Sequence, residues 1–396
     1  DLPKGYQISQ LEAPICEHGK ITIETKDGSK RKIGITRIHM EEDAGKSIHD
    51  QGFDTLIDVN RCGTPLMEIV SEPDMHTAEE AYLYLTKLKQ IVTYLGICDG
   101  NMEEGSLRCD ANISIRLKGE TKLSTKTEVK NMNSFRNVEK AIEFEIERQK
   151  DILEDGGRII QQTLLWNPDQ NKVIPMRSKE EAHDYRYFPD PDLMPIVLDQ
   201  NWKDKIALSM PELPEKRRNR FVEQYSLPKY DAEILTSSRE LADYYEQVLN
   251  VTDDYKSASN WVMTEVLKNI NDQKISVAQF PVSAQNLGKM IKMINGNIIS
   301  GKIAKEIFPE MLNTNSDPNK IVKEKNLVQI TDTSEIENVI DRILSANPKQ
   351  IEEFLSGKDK VIGFFVGQIM KETKGKANPQ IVNDLLKSKL ESKRGK

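Results

Sequence analysis

Long apolar runs are missing from this 396-residue chain. No stretch of about 18 or more apolar residues occurs, so no membrane-spanning helix is expected. The first residues, DLPKGYQISQLEAP, contain neither a basic nor an apolar stretch, which argues against a secretory signal. They also lack an initiating Met, and the chain reads as a fragment or a processed product. Cysteine is scarce: Cys16, Cys62, Cys98 and Cys109 are widely spaced with no CxxC pair. That speaks against a structural zinc site and for a reducing compartment, a bacterial cytoplasm or an organelle. His18, His39, His49, His76 and His183 do not cluster, and a lone one such as His39 reads as a structural residue. Also absent are a GxxxxGK(S/T) phosphate loop, a GxGxxG turn, HExxH and GxSxG. Any nucleotide chemistry must therefore be built from other parts.

What the chain does have is three acidic segments near its start: IHMEEDAGK at 38–46, GTPLMEIVSEPD at 63–74 and GNMEEGSLRCDANISIR at 100–116. Carboxylates gathered from separate strands and loops can hold a hard cation such as Mg²⁺, which takes oxygen ligands. The candidates are Glu41, Glu42, Glu68, Glu103, Glu104 and Asp110, and each taken singly is also consistent with a solvated surface residue. Lys46, Arg108, Lys126 and Lys130 are available to neutralise phosphate.

The pattern predicts an α+β protein, β-rich first and helical afterwards. Ile33 and Ile35 alternate with Gly34 and Thr36 in a strand that runs into the first acidic segment. Leu107, Cys109, Ala111, Ile113 and Ile115 form one face of a second strand, with Arg108, Asp110, Asn112, Ser114 and Arg116 on the other. A third strand within 125–135 leads into a helix carrying Phe135, Val138, Ile142, Ile146, Gln149 and Leu153 on one stripe, capped by Asn133 or Ser134 and ended by Gly156-Gly157. This places Glu128, Lys130, Asn131 and Asn133 at a strand-to-helix junction, where backbone N–H groups favour anions. DYRYFPDPDLMP at 184–195 is irregular and stiff, either a pocket wall or a packed linker. A boundary follows near 210. Helices are then expected at about 214–225, 231–250, 257–270, 284–295, 300–312, 333–345, 348–355, 360–373 and 379–391, with Ser283 as an N-cap and Gly296 just past a C-terminus. The net charge of −7 gives no sign of a nucleic-acid partner, but residues 371–396 hold eight Lys/Arg against three acids. That local excess is either a solvated tail or a surface for phosphates.

Taken together and in order, YQISQ (6–10), GITRIHMEEDAGK (34–46), DVNRCGTPLMEIVSEPD (58–74), MEEGSLRCDANISIR (102–116), EVKNMNSF (128–135), DYRYFPDPDLMP (184–195) and GKANPQIVNDLL (375–386) closely resemble the GatB family, one of the subunit types of the tRNA-dependent amidotransferases. The resemblance covers essentially the whole chain. It implies a cradle domain at 1–210, a helical domain at 211–282 and a YqeY-like, tRNA-binding tail at 283–396. It further implies that ATP and Mg²⁺ are used to phosphorylate the side-chain carboxylate of Glu or Asp esterified to tRNA. Ammonia released from glutamine then displaces the phosphate. The partners it implies are the amidase subunit and the small third subunit of the amidotransferase, and tRNA(Gln) or tRNA(Asn), with no membrane.

On this resemblance Glu42 and Glu68 match metal-binding glutamates. From their polar faces rather than from the resemblance, Arg108, Asp110, Glu128 and Lys130 are assigned to phosphate or substrate contact in catalysis, and Lys46 and Asn131 to the nucleotide. Lys371, Lys374, Lys376, Lys387 and Lys389 are assigned to tRNA. The family's first strand, with a Gly-Leu-Glu-x-His segment supplying two further ligands, has no counterpart, so the chain is expected to start some eighty residues late and its own activity is in question. The rival reading is a non-catalytic tRNA-binding scaffold. An archaeal Gln-specific relative would need an inserted domain for which the tail half has no room.

Overall fold

A computed structural model describes residues 2–48, 54–176, 189–330, 332–373 and 375–394 of the chain. They form two compact units, 1–213 and 214–396. The first is β-rich and the second is all helix among the described residues, which is the α+β arrangement expected.

The first unit begins with the hairpin of β1 (Cys16–Glu24) and β2 (Lys30–Glu42). Its turn is closed by Asp27, whose carboxylate accepts from the Ser29 N–H and the Thr25 hydroxyl, while Gly28 takes the positive φ of 82° that the reversal needs. The short pair β3 (Lys46–Ile48) and β4 (Leu56–Asp58) follows. Then β5 (Pro65–Ser71) returns along the free edge of β2, giving the antiparallel order β1-β2-β5. Ile21, Ile23, Ile33 and Ile35 turn one face of this sheet inward, against Tyr84 and Leu85 of α1 (Ala78–Leu95). Thr77 caps α1 by accepting from the Glu80 N–H, and Gly96 ends it in the left-handed region.

A second sheet has the order β6-β7-β8-β9, with β6 (Ala111–Ile113), β7 (Thr127–Lys130), β8 (Thr163–Asn167) and β9 (Lys172–Pro175). The helix α2 (Phe135–Glu154) starts at Ser134, whose hydroxyl accepts from the Asn137 N–H, and packs Val138 and Ala141 on Val129, Leu164 and Trp166. Both sheets share one apolar cluster. The strand expected over 107–115 is shorter than its alternation suggested, because β7 offers partners only to Ala111, Asn112 and Ile113. Upstream, the turn at Gly105 bends the chain away and frees Arg108 from the ladder. Residues 184–188 of the Pro- and aromatic-rich segment lie outside the described residues. Its remainder leads to α3 (Gln200–Ser209), none of whose residues is buried.

The second unit opens with α4 (Pro214–Tyr225). The single helix expected over 231–250 is two, α5 (Lys229–Leu235) and α6 (Arg239–Leu249), because Ser238 caps a new start by accepting from the Leu241 N–H. After α7 (Tyr255–Trp261), a π-helical turn (Val262–Val266) runs straight into α8 (Leu267–Gln273). Next come α9 (Ala284–Asn295), capped by Ser283, α10 (Gly301–Thr314) and α11 (Pro318–Glu324). The unit ends with α12 (Thr333–Ala346), α13 (Pro348–Leu355), α14 (Val361–Glu372) and α15 (Pro379–Arg394). One apolar cluster runs from Phe221 to Val322 and another from Ile336 to Leu390. Val282 and Ala284 both belong to the first of these clusters.

Candidate functional site

Strand geometry decides which of the acidic residues can meet. In β2 and β5, His39 pairs with Glu68 and Glu41 pairs with Leu66, while Glu42 pairs with Pro65. Directly opposed residues share a face and successive residues alternate, so His39, Glu41 and Glu68 face one way and Glu42 the other. The His39 ring is fully buried. Its Nε2 lies 3.0 Å from Glu41 Oε1 and 3.6 Å from Glu68 Oε2. One donor atom from each of the three lies within 4.8 Å of the others. Among the described residues this is the one cluster able to hold a metal ion. The Glu41 carboxylate is steadied by the Ser9 hydroxyl at 2.9 Å and the Gln7 amide at 3.2 Å. His39 Nδ1 is buried without a partner.

Glu42 is occupied elsewhere. Its carboxylate accepts from the Lys4 ammonium and from the Ile8 N–H at 2.9 Å. Lys4 above all, and then the Ile8 N–H, hold this carboxyl below the usual range, although partial burial opposes them. The structure therefore brings Glu68 together with His39 and Glu41 but does not bring it to Glu42. Sequence reasoning set His39 aside as structural and named Glu41 among six candidate carboxylates but favoured Glu42 and Glu68 as the metal ligands. The signal was available in the i, i+2 spacing of His39 and Glu41 along one strand.

The next residue, Asp43, is almost wholly buried and accepts from two arginines: Arg61 Nε at 2.8 Å and Arg108 Nη2 at 2.6 Å. Each arginine side chain is about half exposed, at 44% and 55%. Asp43 and Arg61 were not singled out from the sequence.

On the exposed side of the second sheet, Lys130 Nζ lies 2.9 Å from Asp110 Oδ2 and 3.5 Å from Glu128 Oε1, and the Thr163 hydroxyl donates to Glu128 at 3.0 Å. Burial would lower the Lys130 pKa, but Asp110 and Glu128 outweigh it and the ammonium is held more firmly. The structure thus assembles Asp110, Glu128 and Lys130 into one group. Asn131 follows in the left-handed region (φ 66°), with its amide donating to the Trp166 carbonyl, and Lys46 is exposed at the start of β3. Glu103 and Glu104 are exposed on a turn braced by the Asn101 side chain and lie outside the His39 cluster. Cys109 packs against the core, where burial pushes its thiol up to about 12, and all four cysteines are free.

In the tail, Lys371 and Lys387 are exposed and Lys376 is half-buried. Lys389 is committed to Asp341 at 2.7 Å and Glu337 at 3.6 Å. Lys374 lies outside the described residues. No described helix is long and apolar enough to cross a membrane.

Residues 1–204 match the family described as the GatB/GatE catalytic domain, and residues 243–390 match the GatB domain. A protein of Chlorobium phaeobacteroides (strain BS1), named as the B-type subunit of an aspartyl/glutamyl-tRNA(Asn/Gln) amidotransferase, is 57% identical over 391 residues, which is 99% of this chain and 82% of the relative. Proteins of the same name from Trichlorobacter lovleyi and Carboxydothermus hydrogenoformans are 56% and 54% identical, each over 98% of this chain and 82% of their own length. With both domains matched and more than half the residues shared with such relatives, the chain belongs to the GatB family of aspartyl/glutamyl-tRNA amidotransferase subunits.

Proposed function

We propose that this chain activates a carboxylate for amidation. It directs ATP to phosphorylate the side-chain carboxylate of Glu or Asp esterified to tRNA, and ammonia released from glutamine by a partner amidase then displaces phosphate. The observation that carries this reading is the meeting of His39, Glu41 and Glu68 on one face of the β2–β5 pair. A carboxylate is a poor acyl donor, and an acyl phosphate gives the incoming amine a good leaving group.

Two carboxylates and one imidazole nitrogen fit a divalent cation, with the oxygens serving Mg²⁺ and open positions left for water or phosphate oxygens. Once bound, Mg²⁺ would offset the charge that builds as an anionic phosphoryl group meets an anionic nucleophile. The chain's own groups do the rest. Ser9 and Gln7 orient Glu41, and Asp110 and Glu128 fix the ammonium of Lys130 at one point on the second sheet for contact with substrate. The basic residues of the tail, Lys371, Lys376 and Lys387 among them, offer phosphates of tRNA points of contact. The amidase and a small third protein complete the assembly in this proposal.

The test is to assemble the amidotransferase with Glu41→Gln and Glu68→Gln variants. Mn²⁺ binding is measured by electron paramagnetic resonance, alongside ATP-dependent amidation of Glu-tRNA(Gln). Each variant should weaken Mn²⁺ binding and amidation by about tenfold or more, with tRNA binding retained. Full ATP-dependent amidation in both variants would sink the reading. Binding of tRNA with no ATP turnover even in the unaltered protein would favour a scaffold instead.

A further inference from the structure

The three acidic segments meet at a residue none of their glutamates identifies. Asp43 lies in the first segment, one residue past the end of β2. Arg61 comes from the turn that precedes β5, and Arg108 from the loop that precedes β6. The Asp43 carboxylate is 4% exposed, and its hydrogen bonds come from Arg61 Nε, Arg108 Nη2 and the Ala44 N–H at 3.0 Å. Its backbone is equally fixed: the N–H donates to the Thr64 carbonyl at 2.8 Å, and the carbonyl accepts from the Gly63 N–H at 2.9 Å.

A buried carboxylate between two half-exposed arginine side chains leaves this trio one positive charge in excess, part of which Asp99 offsets near Arg61. Each guanidinium carries five N–H donors in a fixed fork, and the bonds to Asp43 engage one nitrogen of each. Paired planar forks of this kind suit the oxygens of phosphate better than a single lysine does. Asp43 directly follows β2, the strand that carries His39 and Glu41, so the arginine pair is anchored just past the end of that strand.

We infer that Asp43 is a positioning residue that holds Arg61 and Arg108 as a two-pronged clamp for the polyphosphate of a nucleotide. The inference rests on the ATP-dependent reading above and deepens it. It adds Arg61 as a contact and gives Asp43 a role exercised through the two arginines.

The experiment uses the assembled amidotransferase with the full-length chain and ATP as the probe. Asp43→Asn keeps the shape and removes the charge that orients both forks. It is expected to lower kcat/KM for ATP by about 10–100-fold while the KM for tRNA moves by less than about twofold. Arg108→Gln should lower kcat/KM for ATP similarly by itself and add little in the Asp43→Asn background, because the fork is already misplaced there. Additive effects, or an ATP KM unmoved beyond about twofold while thermal stability falls, would mark Asp43 as a structural tie and overturn the clamp. If Asp43→Asn fails to assemble, the exposed-side variants Arg61→Gln and Arg108→Gln decide: an unchanged ATP KM in both overturns it. Absence of ATP turnover in the unaltered complex takes down the proposed function and the clamp with it, whereas turnover with unmoved variants removes the clamp alone.

Discussion

Three consecutive acids, Glu41, Glu42 and Asp43, have three different fates. Glu41 turns toward His39, Glu42 is taken by Lys4 and Ile8, and Asp43 is buried between two arginines. Composition cannot separate them, because what differs is the face of the strand and the partner that arrives from elsewhere. Glu145 makes the same point in a structural role. It is fully buried on α2 and accepts from Thr127 at 2.7 Å, Arg148 at 2.7 and 2.8 Å and Gln149 at 2.9 Å. Burial pushes its carboxyl up, but Arg148, Thr127 and Gln149 outweigh that and hold it below its ordinary 4.5. A carboxyl depressed in the folded state contributes stability that is present above its unfolded pKa and is lost as pH falls through the folded value. Glu145→Gln should therefore cost roughly 1–3 kcal/mol near neutral pH, and the gap to the unaltered protein should narrow as pH falls below 4.5 and through the folded value, in thermal melts over that range. A gap that persists in acid would show that the cost is one of packing.

At the scale of elements, local signals set most helices. Ser134, Ser238, Ser283 and Ser300 each accept a backbone N–H at a helix start, and α4, α9, α12 and α13 begin and end close to where their periodicity predicts. The misreadings have local causes as well. The 231–250 stripe is broken at Ser238, where a cap begins α6, and the polar-faced strand at 107–115 finds a paired neighbour for only three residues. Helix packing adds a constraint that no propensity reveals. A Cβ at Gly288 of α9 would come within 2.7 Å of Val251 Cβ and 2.9 Å of the Val248 carbonyl at the end of α6. Gly288→Ala, favourable for a helix in isolation, should instead destabilise by about 1–3 kcal/mol, measured by urea unfolding. Unchanged or raised stability would mean that α6 and α9 separate at little cost.

For the whole molecule, charge matters where it is free to meet solvent. The tail's basic excess is legible in the sequence, but its availability is not, since Lys389 is held by Asp341 and Glu337 while Lys371 and Lys387 are exposed. If the tail docks tRNA as proposed, each lysine that touches a phosphate contributes roughly one unit to the slope of log affinity against log salt. Lys371→Ala and Lys387→Ala should each flatten that slope by up to about one unit, and Lys389→Ala should leave it unchanged while lowering thermal stability. Equal effects from all three would show that the Lys389 ion pair opens when tRNA binds.

The sequence by itself determined the change from strand to helix near residue 210, the helices α2, α4, α9, α12 and α13, the caps at Ser134 and Ser283, and the family, because these rest on periodicity, short-range hydrogen bonding and long ordered strings of residues. Only the tertiary structure decided which acids converge. The register of β2 against β5 put His39 and Glu41, rather than Glu42, beside Glu68. Two loops distant in sequence brought Arg61 and Arg108 to Asp43. A one-residue step along a strand reverses the face a side chain occupies, and that choice is fixed by long-range pairing and burial rather than by the residues on either side.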